Sequence, residues 1–478
     1  MGLFRQIYCK RGAIMSKQEK EMRESFDFQV KNLLASRDKF LKKDDSLRVG
    51  LESEIAIHAR SSDSELVQKR DAIIADNSDF TDVELGASQI EIRTPPIDLL
   101  STNGMSSLTG IYKQRFFNVL DSARKHGVGI LRIGANPFLP TIKTPRTDKP
   151  KYRLVPDFYN QNRNPHLDTI IGLGQKQIDI GDAAIVSLFQ SFQVNLEANS
   201  FADACDKMNR SLAIAPYLLA FSGNARYLRC QDAKIQDARM IGWAASHDIR
   251  TFCDTKLQDL RILSWEKSFD VRPKRNKDWQ NELRVGLPSR YFRDMADYLH
   301  RAGSFPFILY DPQSALAISI GLTWLDTRTK FIDDSAIVEL RLPSTQPTIK
   351  EEMVLMLIYI GRLHYSQMTN EALLPINIVQ ENRLSAMIYG LERPLWFLNK
   401  NDLPVKLPAK EGLITELEKA LFGLNHLGLS SCLEREILDA MLNFGSPSSR
   451  LAALLNPKDN LSISDMEDAL SELKMLVY

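Results

Sequence analysis

Residues 47–59 read LRVGLESEIAIHA, a run in which apolar and polar side chains alternate. Period two is the mark of a strand with one face buried and the other open. Leu51, Ser53 and Ile55 fall on one face, and Glu52 and Glu54 on the other. Carboxylates are poor strand formers. Two on one face either coat an exposed surface or have work to do there.

The pattern recurs outward from this strand. ELGASQIEIRTPP (84–96) carries Glu84 and, seven residues on, Glu91 in the strand IEIRT (90–94), which Pro95 and Pro96 end. SLFQSFQVNLEA (187–198) reads as a strand with Gln193, Asn195 and Glu197 on one face. SAIVELRLP (335–343) sets Glu339 and Arg341 between apolar Val338, Leu340 and Leu342. If these faces converge, Glu52, Glu54, Glu84, Glu91 and Glu339 enter one cavity. Two unit charges ~4 Å apart repel by about 4 kcal/mol at an effective dielectric near 20. Such a cluster must take up protons or cations. An all-oxygen set selects hard ions, Mg²⁺ or Mn²⁺, rather than zinc. Carboxylate-held magnesium shared with phosphates is the usual setting of phosphoryl transfer.

The remaining chain supplies the frame. Residues 16–45 suit a leading amphipathic helix, with Phe26, Val30, Leu33 and Leu34 at helical spacing. Helices are expected over 103–126, over 200–223 with Ser200 as cap, over 348–365, and throughout the Leu-rich stretch from about 410. VGILRIG (128–134) is a further strand. The proline-rich stretch from Asn136 to Asn164 reads as a long loop. Trp324, Trp396 and the Met-rich helix 353–368 read as core. Strands separated by helices are compatible with a doubly wound parallel sheet, but neither GxGxxG after a strand nor GxxxxGK[ST] occurs.

With 61 Lys and Arg against 60 Asp and Glu, the net charge of +1 gives no phosphate-backbone-binding surface, so no nucleic-acid partner is expected. The local basic cluster Arg272, Lys274, Arg275 lies beside Asp270 and Asp278 and reads as a solvated loop. Five cysteines without a CxxC pair suit a reducing, cytoplasmic setting. No apolar run reaches the ~18 residues of a membrane span, so no membrane partner is expected. The opening MGLFRQIYCKRG has no apolar signal-peptide core, and translation from Met15 is an alternative start.

In order and spacing, these segments resemble the glutamate–cysteine ligase type 2 family of carboxylate–amine ligases, which shares its fold with glutamine synthetase. GLESE is similar to the family's opening acidic strand, and ELGASQIEIRTPP to its second. RIGANPF (132–138) resembles a family turn, and KYR (151–153) an Arg-Tyr position. FQVNLEA resembles the QVNL of plant-type members, and APYLLAFSGNARYL (215–228) the end of a family helix. CQDAKIQDARMIGW (230–243) resembles a segment with an Asp and a following Arg, here Asp232 and Arg239. IVELRLPSTQPT (337–348) resembles the V-E-x-R strand, and ENRLSAMIYGLE (381–392) the ENR motif. The likeness runs from about 47 to 392.

The resemblance implies an α+β fold: a curved, mainly antiparallel sheet forming an open active-site cavity, with helices on its outer face. It implies an N-terminal helical extension (1–45), a catalytic domain (46–400) and a C-terminal helical region (401–478). It makes Glu52, Glu54, Glu84, Glu91 and Glu339 metal ligands, with Gln193 standing where a ligating His is usual. Arg341 and Arg328 would face the transferring phosphate or the glutamate, with Tyr152 and Lys151 on a phosphate-side loop. Asn195, Arg239, Asn382 and Arg383 would contact the nucleotide side. Ser344, Ile388 and Asn136 depart from the family pattern at positions expected near substrate. The implied reaction uses ATP and Mg²⁺ (or Mn²⁺) to join a carboxylate, such as the γ-carboxylate of glutamate, to an amine such as cysteine through an acyl phosphate. A same-fold phosphotransferase, a glutamylating enzyme with other substrates and an inactive scaffold remain alternatives, and the oligomeric state is open.

Overall fold

The computed structural model describes residues 17–59, 63–162, 170–172, 178–181, 183–246, 285–302, 310–456 and 461–478. The chain start and the basic cluster at 272–275 lie outside the described residues.

The fold is built around β1 (Arg48–His58). Val49, Leu51, Ser53 and Ile55 are buried, whereas Gly50, Glu52 and Glu54 between them are only partly so. The alternation read from the sequence is therefore real. Before β1 runs helix α1 (Lys17–Ala35), with Met22, Phe26 and Val30 buried along one stripe. After it come β2 (Thr81–Val83), β3 (Gln89–Arg93), β4 (Ile97–Asp98), α2 (Gly104–Lys125), β5 (Gly129–Leu131) and α3 (Pro150–Asn162). Next are β6 (Phe192–Glu197), α4 (Phe201–Ser222), α5 (Ala238–Ser246), β7 (Thr327–Ile332), β8 (Ser335–Leu340) and α6 (Ile349–Met368). The chain closes with α7 (Ala409–His426), α8 (Ile463–Glu472) and β9 (Leu476–Val477), among other helices.

The main sheet has the order β7-β8-β6-β1-β3-β2, and every ladder along it is antiparallel. β1 is long enough to serve two partners on each edge. β6 and β5 share one edge, and β3 and β4 the other. The fold is thus α+β with a curled antiparallel sheet, as the resemblance implied, and the doubly wound parallel alternative falls away.

Both long helices over the sheet begin as their sequences require. Ser200 Oγ accepts from the Asp203 N–H at 3.1 Å, and Thr348 with Glu351 forms a capping box at the start of α6. Helices α2 and α4 lie on the apolar face of the sheet, and α6 and α7 stack beyond α4. Ile55, Ile90, Ile92, Leu196, Val338 and Leu340 fill that face and are fully buried. Each contributes about 1.5–3 kcal/mol on burial. Beneath the same face lies a buried ion pair that the sequence did not advertise. Arg132 Nη2 donates to Glu352 Oε2 at 2.6 Å, and the Tyr112 hydroxyl donates to the same oxygen at 2.5 Å.

Two expectations need correction. Residues 136–164 are not one long loop, because α3 occupies Pro150–Asn162. Pro150 stands at the first helical position, where a missing N–H costs nothing. Counting prolines hid this. The tail is also more than helical: β9 pairs with β5 and extends the central sheet. His58 at the end of β1 meets Glu467 of α8 at 2.6 Å and pins the tail there. A two-residue strand is too short to show any periodicity.

Candidate active site

The polar face of the sheet forms one wall of a cavity of about 380 Å³. Glu52, Glu54, Glu84, Glu91, Tyr152, Gln193, Arg239, Arg328 and Arg341 all line it. Strand register brings them there. Glu54 lies opposite Glu91 of β3 on one side, and Glu52 lies opposite Gln193 of β6 on the other. Glu339 of β8 lies beside Asn195 of β6 and opposite Arg328 of β7. Crossing the sheet from β2 to β7, the face passes from acidic to basic.

At the acidic end, Glu54, Glu84 and Glu91 each place a carboxylate oxygen within 4.8 Å of the others. Glu84 is not on a strand but directly follows β2, in the connection to β3. Glu54 accepts from the Ser191 N–H at 2.7 Å and from Gln193 Nε2 at 2.9 Å. Burial, then the charge of Glu84, pushes the Glu54 carboxyl up to about 7, against the pull of Arg341. Burial also raises Glu91 well above the usual carboxylate range, with Glu84, Glu52 and Glu54 adding to it. Arg93 reaches Glu91 only at 3.6 Å. Three half-buried carboxylates this close, with so little positive charge among them, fit a hard divalent cation by number, donor type and charge.

At the basic end, Glu339 is fully buried and ringed by cations. Arg341 Nη1 and Lys330 Nζ each lie 2.8 Å away, and Arg328 Nε donates to the same carboxylate. Burial alone would raise its pKa, but Arg328, Arg341 and Lys330 outweigh that and hold it well below the usual range. In this arrangement Glu339 is grouped with the basic side chains rather than with the acidic triad. Its charge is spent on orienting the basic side chains. Lys330, which no motif or spacing in the sequence marks, also meets Glu52 Oε1 at 2.9 Å.

Asn195, Asn382 and Arg383 fall outside the cavity wall. Asn382 hydrogen-bonds both backbone groups of Trp396, at 2.7 Å each, and so holds a neighbouring strand. Arg383 is buried against Asp326 with Nε–Oδ2 at 2.6 Å. Asn195 is buried within the sheet. Lys151 lies in the first turn of α3. Tyr152, on the same helix, lines the cavity and donates to Val83 O at 3.1 Å, so this pair sits on a helix rather than on a loop.

Ser344, Asn136 and Ile388 are buried, and none lines the cavity. Ser344 Oγ donates to Asp237 at 2.5 Å and accepts from Arg239 at 3.3 Å. It thus supports Arg239 from behind. The carboxylate near Arg239 is Asp237, while Asp232 pairs with Arg226 at 2.7 Å.

The cavity also has an apolar wall that the sequence did not reveal. Trp243 and Trp324, with ring centroids 5.0 Å apart, line it with Phe189, Met240 and Leu322. Trp324, expected in the core, is part of this wall. No spacing rule joins residues so far apart in the chain.

Residues 48–419 match the family described as glutamate-cysteine ligase family 2. Among solved structures, the chain is similar to a glutamate–cysteine ligase from Francisella tularensis, determined in complex with AMP. The TM-score is 0.51 at 13% identity, covering 91% of this chain and 89% of that one. A bifunctional glutathione synthetase from Pasteurella multocida matches with a TM-score of 0.42 at 12% identity, covering 94% of this chain and 55% of that one. No curated protein sequence matches the chain. Among the described residues, no helix is long and apolar enough to cross a membrane.

Proposed function

This chain belongs to glutamate-cysteine ligase family 2, and on that premise we propose that it joins a carboxylate to an amine at the expense of ATP. One observation carries the reading: a half-buried carboxylate triad, Glu54, Glu84 and Glu91, opens into the same cavity as Arg239, Arg328 and Arg341. Glutamate is the proposed carboxylate and an amine such as cysteine the acceptor.

The triad would hold a divalent cation, Mg²⁺ or Mn²⁺. Bound there, the ion supplies charge neutralisation to the phosphate oxygens it touches. In the first step a carboxylate oxygen attacks the γ-phosphorus, the bond to the β-γ bridging oxygen breaks, and ADP leaves. In the second, the amine nitrogen attacks the acyl carbon, inorganic phosphate leaves, and the amine proton goes to solvent or phosphate. The protein's part is mainly positioning and charge. Arg341 and Arg328, fixed by Glu339, present N–H donors to an anionic oxygen on the transferring group. Arg239 is held by two backbone carbonyls, with Leu342 O and, at 3.3 Å, Arg341 O as acceptors of Nη2. The apolar wall of Trp243 and Trp324 keeps bulk water from that side.

ADP release with Mg²⁺, glutamate and a panel of amines tests the reading. ADP and an amide product are expected with at least one pair. No ADP with any carboxylate and amine would overturn it in favour of an inactive scaffold.

A further inference from the structure

We propose that Lys330 is a resident cation beside the cavity, bonded to Glu52 of its wall and to Glu339 behind it, in the place where a divalent ion would otherwise bind between these carboxylates. The proposal rests on the metal-dependent reading above and refines it. Lys330 reaches from β7 across β8 and β6 toward β1 and bonds one carboxylate at each end, 2.8 Å to Glu339 and 2.9 Å to Glu52. Its side chain is 20% exposed and that of Glu52 is 19% exposed, so the bridge is largely shielded from solvent. An ammonium between the fully buried Glu339 and the largely shielded Glu52 supplies one unit of the positive charge that a metal ion would bring there.

The neighbours leave little room for a second occupant. Glu339 also receives Arg328 and Arg341, so with Lys330 in place an added dication would face three positive charges, whereas removing Lys330 takes the cation from Glu52 and opens the space between the two carboxylates. Gln193, beside Glu52 in the ladder, aims its amide nitrogen at Glu54 (2.9 Å) and at Ser191 Oγ (3.0 Å). In this orientation its amide turns N–H donors, not its carbonyl oxygen, toward Glu54 and Ser191. The five carboxylates then divide into two groups. Glu54, Glu84 and Glu91 await exchangeable cations, whereas Glu52 and Glu339 are neutralised by the chain itself. This protein should hold one divalent ion fewer than its carboxylates suggest. A lysine also differs from a metal in kind: it offers three N–H donors to an anion and no Lewis acidity.

Mn²⁺ titration of the full chain without nucleotide, with free Mn²⁺ followed by electron paramagnetic resonance, reads the number of bound ions directly. Lys330→Met should bind one more Mn²⁺ per chain than wild type, and Lys330→Arg the same number as wild type. Equal counts for folded Lys330→Met and wild type would overturn the proposal while leaving the metal-dependent reading intact. Wild type that takes up no Mn²⁺ would sink both. Glu52→Gln gives an independent check if Lys330→Met does not fold. Its Mn²⁺ count should equal that of wild type, and the loss of one ion would show Glu52 to be a metal ligand instead.

Discussion

Glu54 and Glu91 stand directly opposite each other on β1 and β3, two carboxylates paired across the sheet face that lines the cavity. Like charges so placed destabilise a ladder by a few tenths to about 1 kcal/mol, beyond the cost of burying them. Such a pairing is a liability until a cation joins it.

Glu91→Gln should therefore raise the stability of the metal-free protein at pH 8, by about 1 kcal/mol, while lowering turnover by about 100-fold or more. Thermal melts without divalent cations and the ADP assay check both halves. A variant that loses stability and keeps full turnover would contradict a shared cation at the triad.

The pH dependence follows with a definite sign. The Glu54 carboxyl titrates near 7 in the folded protein against a usual value of 4.5. The folded state thus holds a proton that the unfolded chain has released between those limits. Metal-free stability from this group is fully present below pH 4.5 and is lost as the pH rises through 7. Because cations compete with that proton, the rise in melting temperature on adding Mg²⁺ should be larger at pH 8 than at pH 6. Calorimetry in buffers of different ionisation heat should show protons released on binding.

Glu339→Gln removes the anchor of three cationic side chains. A loss of roughly 3 kcal/mol is expected, because Arg328, Arg341 and Lys330 would face one another uncompensated. Turnover should fall, but Mn²⁺ uptake by the triad should persist. Urea denaturation and Mn²⁺ titration separate the two effects.

Arg132→Met strands the fully buried Glu352 carboxylate. The expected cost is roughly 3–5 kcal/mol, and Arg132→Met with Glu352→Met should recover most of it. Turnover per folded molecule should match wild type in the double variant, since neither residue lines the cavity. Denaturant midpoints and active-site titration report these quantities.

Much of this protein was written locally. The alternation in 47–59, the caps at Ser200 and Thr348, and the acidic positions Glu52, Glu54, Glu84 and Glu91 could all be read from neighbours a few residues apart. Period and capping depend on backbone geometry within one element, and a single sequence carries them. The order of the family's motifs then supplied the fold.

What the sequence could not carry was which charge meets which. Glu339 looked like a metal ligand because it shares a pattern with Glu52, yet β7 delivers Arg328 and Lys330 against it. Ser344, Asn136 and Ile388 were expected near substrate; packing buries all three, and Ser344 reaches the cavity only through Arg239. Trp243 and Trp324 line the cavity because helix α5 and the segment before β7 converge there. The difference is physical. Secondary structure answers to interactions between near neighbours along the chain. The electrostatic state of a buried group is set by whatever distant strands bring within a few ångströms of it, and only the folded arrangement determines that.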